Sequence, residues 1–121
     1  MIMKQNDLKG ANRPNANQNV VVLFAENMTA VDIDQMPNVE RIAAFMQDHP
    51  EASCVIKGYA SPEGNLDDNI QLANGRAANV MDVLVKQFGI AANRISAAGQ
   101  GASTMIDELG GRVSICEIIV K

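Results

Sequence analysis

Apolar positions along this chain switch between two spacings. Residues 20–25 form an unbroken run of Val, Val, Val, Leu, Phe and Ala bounded by polar residues, as in a buried central strand. Val39, Ile42, Ala43 and Met46 then recur at helical intervals, with Pro37 suited to the first turn and Pro50 ending the helix near His49. A second β-rich run covers residues 53–59. After it, Ala73, Ala77, Val80, Met81 and Leu84 make an amphipathic stripe in a helix over residues 65–87. Asn65 is placed as the N-cap, Asp67 and Asp68 lie in the positively polarised first turn, and Gly89 is suited to the C′ position. A short strand at residues 94–98 and a final strand at 113–120 complete the set. The segment 26–36 reads as a connection with a short helical turn. Residues 99–111, carrying four glycines, read as a loop with one turn near 105–109.

The order β-α-β-α-β-β predicts an α/β protein of the α+β sandwich kind, a mixed sheet with two helices packed on one face. Crossovers through the helices would make the early strands parallel. The last strand would run antiparallel to a neighbour.

Composition narrows this picture. At 121 residues and 47% hydrophobic content the chain suits one domain, and with aromatics at 3% its core must rest on Val, Ile, Leu, Ala and Met. Residues 1–19 are polar and asparagine-rich, so they read as a linker arm, leaving 20–121 as the domain. A net charge of −4 and an isoelectric point near 4.8, without any basic run, argue against a nucleic-acid partner. No stretch is long enough for a membrane-spanning helix, and the N-terminus lacks the apolar segment of an export signal. An exported protein would therefore carry its signal, and any other domains, outside this sequence.

Candidate chemistry gathers at the junction after the second strand. Gly58, Pro62 and Gly64 make the connection 58–64 stiff, and it ends at a helix start, where spare N–H groups favour anions. Asn69 and Arg76, seven residues apart, share one margin of the apolar stripe, near Ser61 and Glu63. Arg76 has two readings. It snorkels or caps a carbonyl, or it forms a small polar pocket with Asn69. Other constellations lack partners: His49 is the only histidine, Gly99-x-Gly101 lacks a phosphate-cradling glycine pattern, and no catalytic or metal-binding set appears. Cys54 and Cys116 fall at mid-strand positions and read as buried free thiols, with a cross-strand disulfide as the alternative.

Gly58-Tyr59-Ala60-Ser61-x-x-Gly64, then Asn69-x-x-Leu72-Ala73-x-x-Arg76-Ala77, Gly89-Ile90 and Arg94-Ile95 together resemble the OmpA-like (OmpA C-terminal) peptidoglycan-binding domain. The resemblance runs from about residue 20 to 121. It implies a non-enzymatic module without cofactors, on the periplasmic side of the outer membrane. Its partner would be peptidoglycan, gripped through the diaminopimelate of the stem peptide, with no membrane insertion by this domain and with envelope proteins as further partners. The family pattern carries an Asp on the loop and an Arg on the following helix. Here Ser61 stands at the Asp position and Ala60 at the preceding Thr, while Arg76, Asn69 and Arg112 match. The implied ligand set is Ala60, Ser61, Glu63, Asn69, Arg76 and Arg112, with Glu63 offering a replacement charge. The alternative is a domain that kept the fold, lost the clamp, and serves as a structural or protein-interaction module of the envelope.

Overall fold

A computed structural model describes residues 18–62, 64–102 and 112–119. Four strands and two helices follow in order: β1 (Gln18–Leu23), α1 (Met36–Asp48), β2 (Ser53–Ala60), α2 (Leu66–Lys86), β3 (Ile95–Ala102) and β4 (Val113–Ile119). Short 3-10 turns at Ile33–Gln35 and Ala92–Arg94 lead into α1 and β3. The sheet order is β1-β4-β2-β3, with β2 and β3 parallel and β4 antiparallel to both β1 and β2. The mixed sheet with two helices is thus as expected, and the last strand has two antiparallel neighbours rather than one. Two boundaries differ. β1 starts at Gln18, two residues inside the segment read as linker, because Gln18 and Asn19 continue the ladder against Ile118 and Glu117. β3 extends through Gly99 and Gly101 to Ala102, which the glycine content had assigned to a loop. The turn expected at 105–109 and the arm 1–17 lie outside the described residues.

Pleating decides which side chains enter the core. Along β2, burial alternates residue by residue, so Cys54, Ile56 and Ala60 point inward while Val55 and Lys57 are half-buried. Val20 and Val22 of β1 and Cys116 and Ile118 of β4 share that inner face, which meets Val39, Ile42, Ala43 and Met46 of α1. Ala77, Val80 and Leu84 of α2 complete the same cluster. Truncating a side chain as enclosed as Leu84 or Ile56 to Ala would destabilise by about 2–5 kcal/mol. The other face of the sheet meets solvent, with Lys57 Nζ 3.8 Å from Glu117 Oε1. Val21 and Leu23 are exposed there, so β1 is an edge strand buried on one face and not the buried central strand its apolar run suggests.

Gly58 explains how closely α2 lies on the sheet. A Cβ there would run into the Ala73 carbonyl oxygen and stand 3.0 Å from the Ala77 nitrogen. This glycine is therefore part of the strand and permits close helix approach, whereas its spacing from Gly64 had suggested a place in the following connection. Cys54 and Cys116 are both buried free thiols, as read from the sequence. Cys116 is pushed far above the ordinary thiol range, first by a hydrogen bond with Cys54 and then by burial.

Candidate functional site

Two connections converge at the end of β2. The first joins β2 to α2. Gly64 turns with φ +88, a conformation that favours glycine, and delivers Asn65 to the cap position. The Asn65 Oδ1 accepts from the Asp67 and Asp68 N–H groups at 2.8 and 3.2 Å, as the sequence indicated. The second connection follows β1 and is pinned at several points. The Phe24 N–H donates to the Arg112 carbonyl at 2.8 Å, the Met28 N–H to the Ala25 carbonyl at 3.1 Å, and Asn79 Nδ2 to the Thr29 carbonyl at 2.6 Å. Asn27 adopts φ +63 at the tip, in the left-handed region where asparagine is tolerated.

Arg76 ties the second connection to the end of β2. Its Nε donates to the Met28 carbonyl at 2.8 Å, one terminal nitrogen to Tyr59 at 2.8 Å and the other to Ala25 at 3.2 Å. The Tyr59 carbonyl lies where the pairing of β2 and β3 slips between Gly58 and Ala60. The Arg76 guanidinium carbon stands 5.4 Å from the centroid of the buried Phe24 ring, adding a cation–π attraction. At 1% exposure Arg76 belongs to the interior, and Asn69 is also buried. The helical spacing had put both at the margin of the apolar stripe. The difference arises because the connection after β1 folds across that margin and supplies carbonyls for the guanidinium.

Beside Arg76 opens a cavity of about 170 Å³ lined by Ser61, Asn69, Arg76 and Arg112, together with Glu26, Asn27, Gly64 and Leu72. Four of the six expected ligand residues therefore share one cavity. Ala60 does not line it: its side chain is fully buried in β2, on the inward phase of the pleat. Glu63 lies outside the described residues. Glu26 and Asn27 were missed, because segment 26–36 has no periodicity and stands some fifty positions from Arg76 in sequence. The one local signal is Asn27 itself, a residue type suited to a left-handed tip. A second, more open groove, lined by Asp68, Gln71, Gly75 and Thr29, adjoins the cavity through the shared walls of Asn27 and Leu72.

A match to the OmpA family extends over residues 23–114, from the end of β1 into β4. The chain belongs to the OmpA family. Outer membrane protein 41 of Porphyromonas gingivalis is 39% identical over 83 residues, 69% of this chain, and the chain spans only 21% of that relative's length. The OmpA-like domain of FopA1 from Francisella tularensis shares the fold with a TM-score of 0.75 at 19% identity, over 90% of this chain and 77% of that one. The peptidoglycan-associated lipoprotein of Burkholderia pseudomallei superposes with a TM-score of 0.70 at 19% identity, over 96% of this chain and all of that one.

In this OmpA-family domain the electrostatics of the cavity are one-sided at its inner wall. Burial lowers the Arg76 pKa below the ordinary arginine range, and the nearby charge of Arg112 lowers it further. Arg76 and Arg112 thus place two cations on one cavity. Two like charges on one cavity attract an anion there, and Arg112 is the more available of the two, since all three Arg76 nitrogens already donate to backbone carbonyls. Among the described residues, no group of three or more His, Cys, Asp or Glu is arranged to hold a metal ion. No described helix is long and apolar enough to cross a membrane.

Proposed function

We propose that this chain is a non-catalytic peptidoglycan-binding module that anchors an envelope protein to the cell wall from the periplasmic side of the outer membrane. The cavity would receive a carboxylate of the stem-peptide diaminopimelate between Arg76 and Arg112. The observation that carries this reading is the pairing of two arginines, unneutralised by a described carboxylate within 4 Å, on one small cavity. A peptidoglycan-associated lipoprotein among the structural neighbours supports it. Asn69 and Ser61 lie on the same walls and add hydrogen-bonding capacity around the bound group. Against this stands the neutral Ser61 at the family's acidic position, which favours the alternative of a structural or interaction domain.

Co-sedimentation with isolated sacculi tests the choice. Arg112 is the residue to change, because it is half-buried and its backbone, not its side chain, holds Phe24. Arg112→Gln is expected to weaken sacculus binding about tenfold, the loss of one charge-assisted contact, with the melting temperature retained. If wild type and variant sediment equally, or neither sediments, the cavity is not the anchor and the interaction-domain reading takes its place.

A further inference from the structure

Within the reading just given, we infer that Glu26, on the connection after β1, supplies the negative pole of the cavity that Ser61 cannot. It would take the ammonium group of a zwitterionic amino-acid end whose carboxylate lies between Arg76 and Arg112. Three observations carry this. First, Glu26 lines the same cavity as the two arginines and Ser61. Second, its backbone is held on both sides by the residue that would bind the carboxylate, since Arg76 bonds the carbonyls of Ala25 and Met28. The turn is closed by the Met28 N–H on Ala25, so Glu26 is presented from a fixed backbone. Third, its carboxylate makes no ion pair within 4 Å among the described residues, although two arginines share its cavity. The positive and negative poles thus stand apart, as a ligand carrying both charges requires. A carboxylate that had collapsed onto either arginine would have cancelled the attraction for one ligand charge and blocked the other.

The chemistry assigns each side a task. The guanidinium pair selects for a carboxylate, and the exposed Glu26 side chain, on the solvent side, selects for a neighbouring ammonium. The acidic wall of the cavity thus belongs to the β1–α1 connection, which Arg76 ties to the end of β2 by bonding the Met28 and Tyr59 carbonyls. Recognition of the ammonium therefore depends on a loop that the guanidinium itself organises.

Calorimetry on the whole chain separates this assignment from the anchoring role. Two probes are needed: diaminopimelate, and pimelate, which has the same carbon chain and carboxylates but no ammonium groups. Glu26→Gln is expected to weaken diaminopimelate binding about tenfold. Pimelate binding should stay unchanged or tighten, because the variant removes a carboxylate that repels it. Adding Ser61→Asp to Glu26→Gln should then restore diaminopimelate affinity from the opposite wall. Wild-type affinity for diaminopimelate in Glu26→Gln would overturn the assignment while leaving the anchoring role intact. Equal weakening toward both probes would also overturn it, by showing that the loop rather than the charge was disturbed. If the wild type binds neither probe nor sacculi, the anchoring role fails and the assignment fails with it.

Discussion

Two arginines hold backbone carbonyls at opposite ends of the sheet. Arg94, just before β3, donates to the carbonyls of Ala52, Met46 and His49 at 3.0, 2.8 and 2.8 Å. Arg76, beside the far end of β2, donates to Met28, Tyr59 and Ala25. The bonding is nearly the same, but the surroundings are not. Arg94 closes the C-terminus of α1, where unpaired carbonyls and the negative end of the helix dipole favour a cation. It is half-buried and lines none of the cavities described above. Arg76 is buried, has a second arginine close enough to lower its pKa, and borders an open cavity. Carbonyl bonding by an arginine is therefore no guide to its role. The difference between the two lies in the space beside Arg76, which Arg112 also borders.

The largest change expected at either end comes from Arg76→Ala. It would remove three charge-assisted hydrogen bonds, empty the space of a fully enclosed side chain and release the connection those bonds fix, lowering stability by about 3–5 kcal/mol in urea denaturation. The helical spacing puts Arg76 at the margin of the stripe, where truncation would cost little, but the residue is buried. Arg76→Lys should recover only part of the loss, since an ammonium cannot span three separate acceptors as a fork does. If Arg76→Ala proved as stable as wild type, the site end would be no better ordered than a surface loop.

Raising the pH tests the middle of the sheet against both ends. Cys116 is held protonated in the folded state, whereas in the unfolded chain its thiol ionises near pH 8.5. Its stabilising contribution is full below that pH and lost above it, at up to about 1.4 kcal/mol per pH unit. Stability should therefore fall between pH 8.5 and 10 in wild type, and the slope should flatten in Cys116→Ala. A slope that survives in the variant would locate the alkaline sensitivity elsewhere.

A smaller effect belongs to Arg94→Ala. Arg94 is half-buried where Arg76 is enclosed, so its truncation leaves a space that water can enter to bond the freed carbonyls, and a loss of about 1–2 kcal/mol is expected. Sacculus binding should be unaffected once the measurement is made well below the melting temperature. Reduced binding at full folding would erase the contrast between the two ends.

Much of the architecture was legible because local signals agreed with the tertiary result. Asn65 caps, Pro37 starts α1, and the Ala73–Ala77–Val80–Leu84 stripe faces the core. Met81 is only half-buried, at the edge of that stripe. Strand lengths were less legible, since glycines within β3 look like loop until a neighbouring strand is known. Half of the site was visible because Ser61, Asn69 and Arg76 lie within one β-α unit. Glu26 and Asn27 were not, because their proximity to Arg76 exists only once β1 and β2 are in one sheet. Sequence spacing can place residues on one helix. It cannot place a loop that folds over that helix from elsewhere.

The position of β4 has a consequence for the order of events in folding. β1 and β2 both pair with it and not with each other, so Val20 reaches the sheet only through Cys116, almost a full domain later in the chain. A nascent chain that has made β1, α1, β2, α2 and β3 can form the parallel β2–β3 pair, but β1 has no partner strand. Contacts of such long sequence separation slow the crossing of the folding barrier. Until β4 slots between them, two unpaired apolar edges stand open to other copies. The late strand is thus the one that ends the interval in which the chain is prone to aggregate.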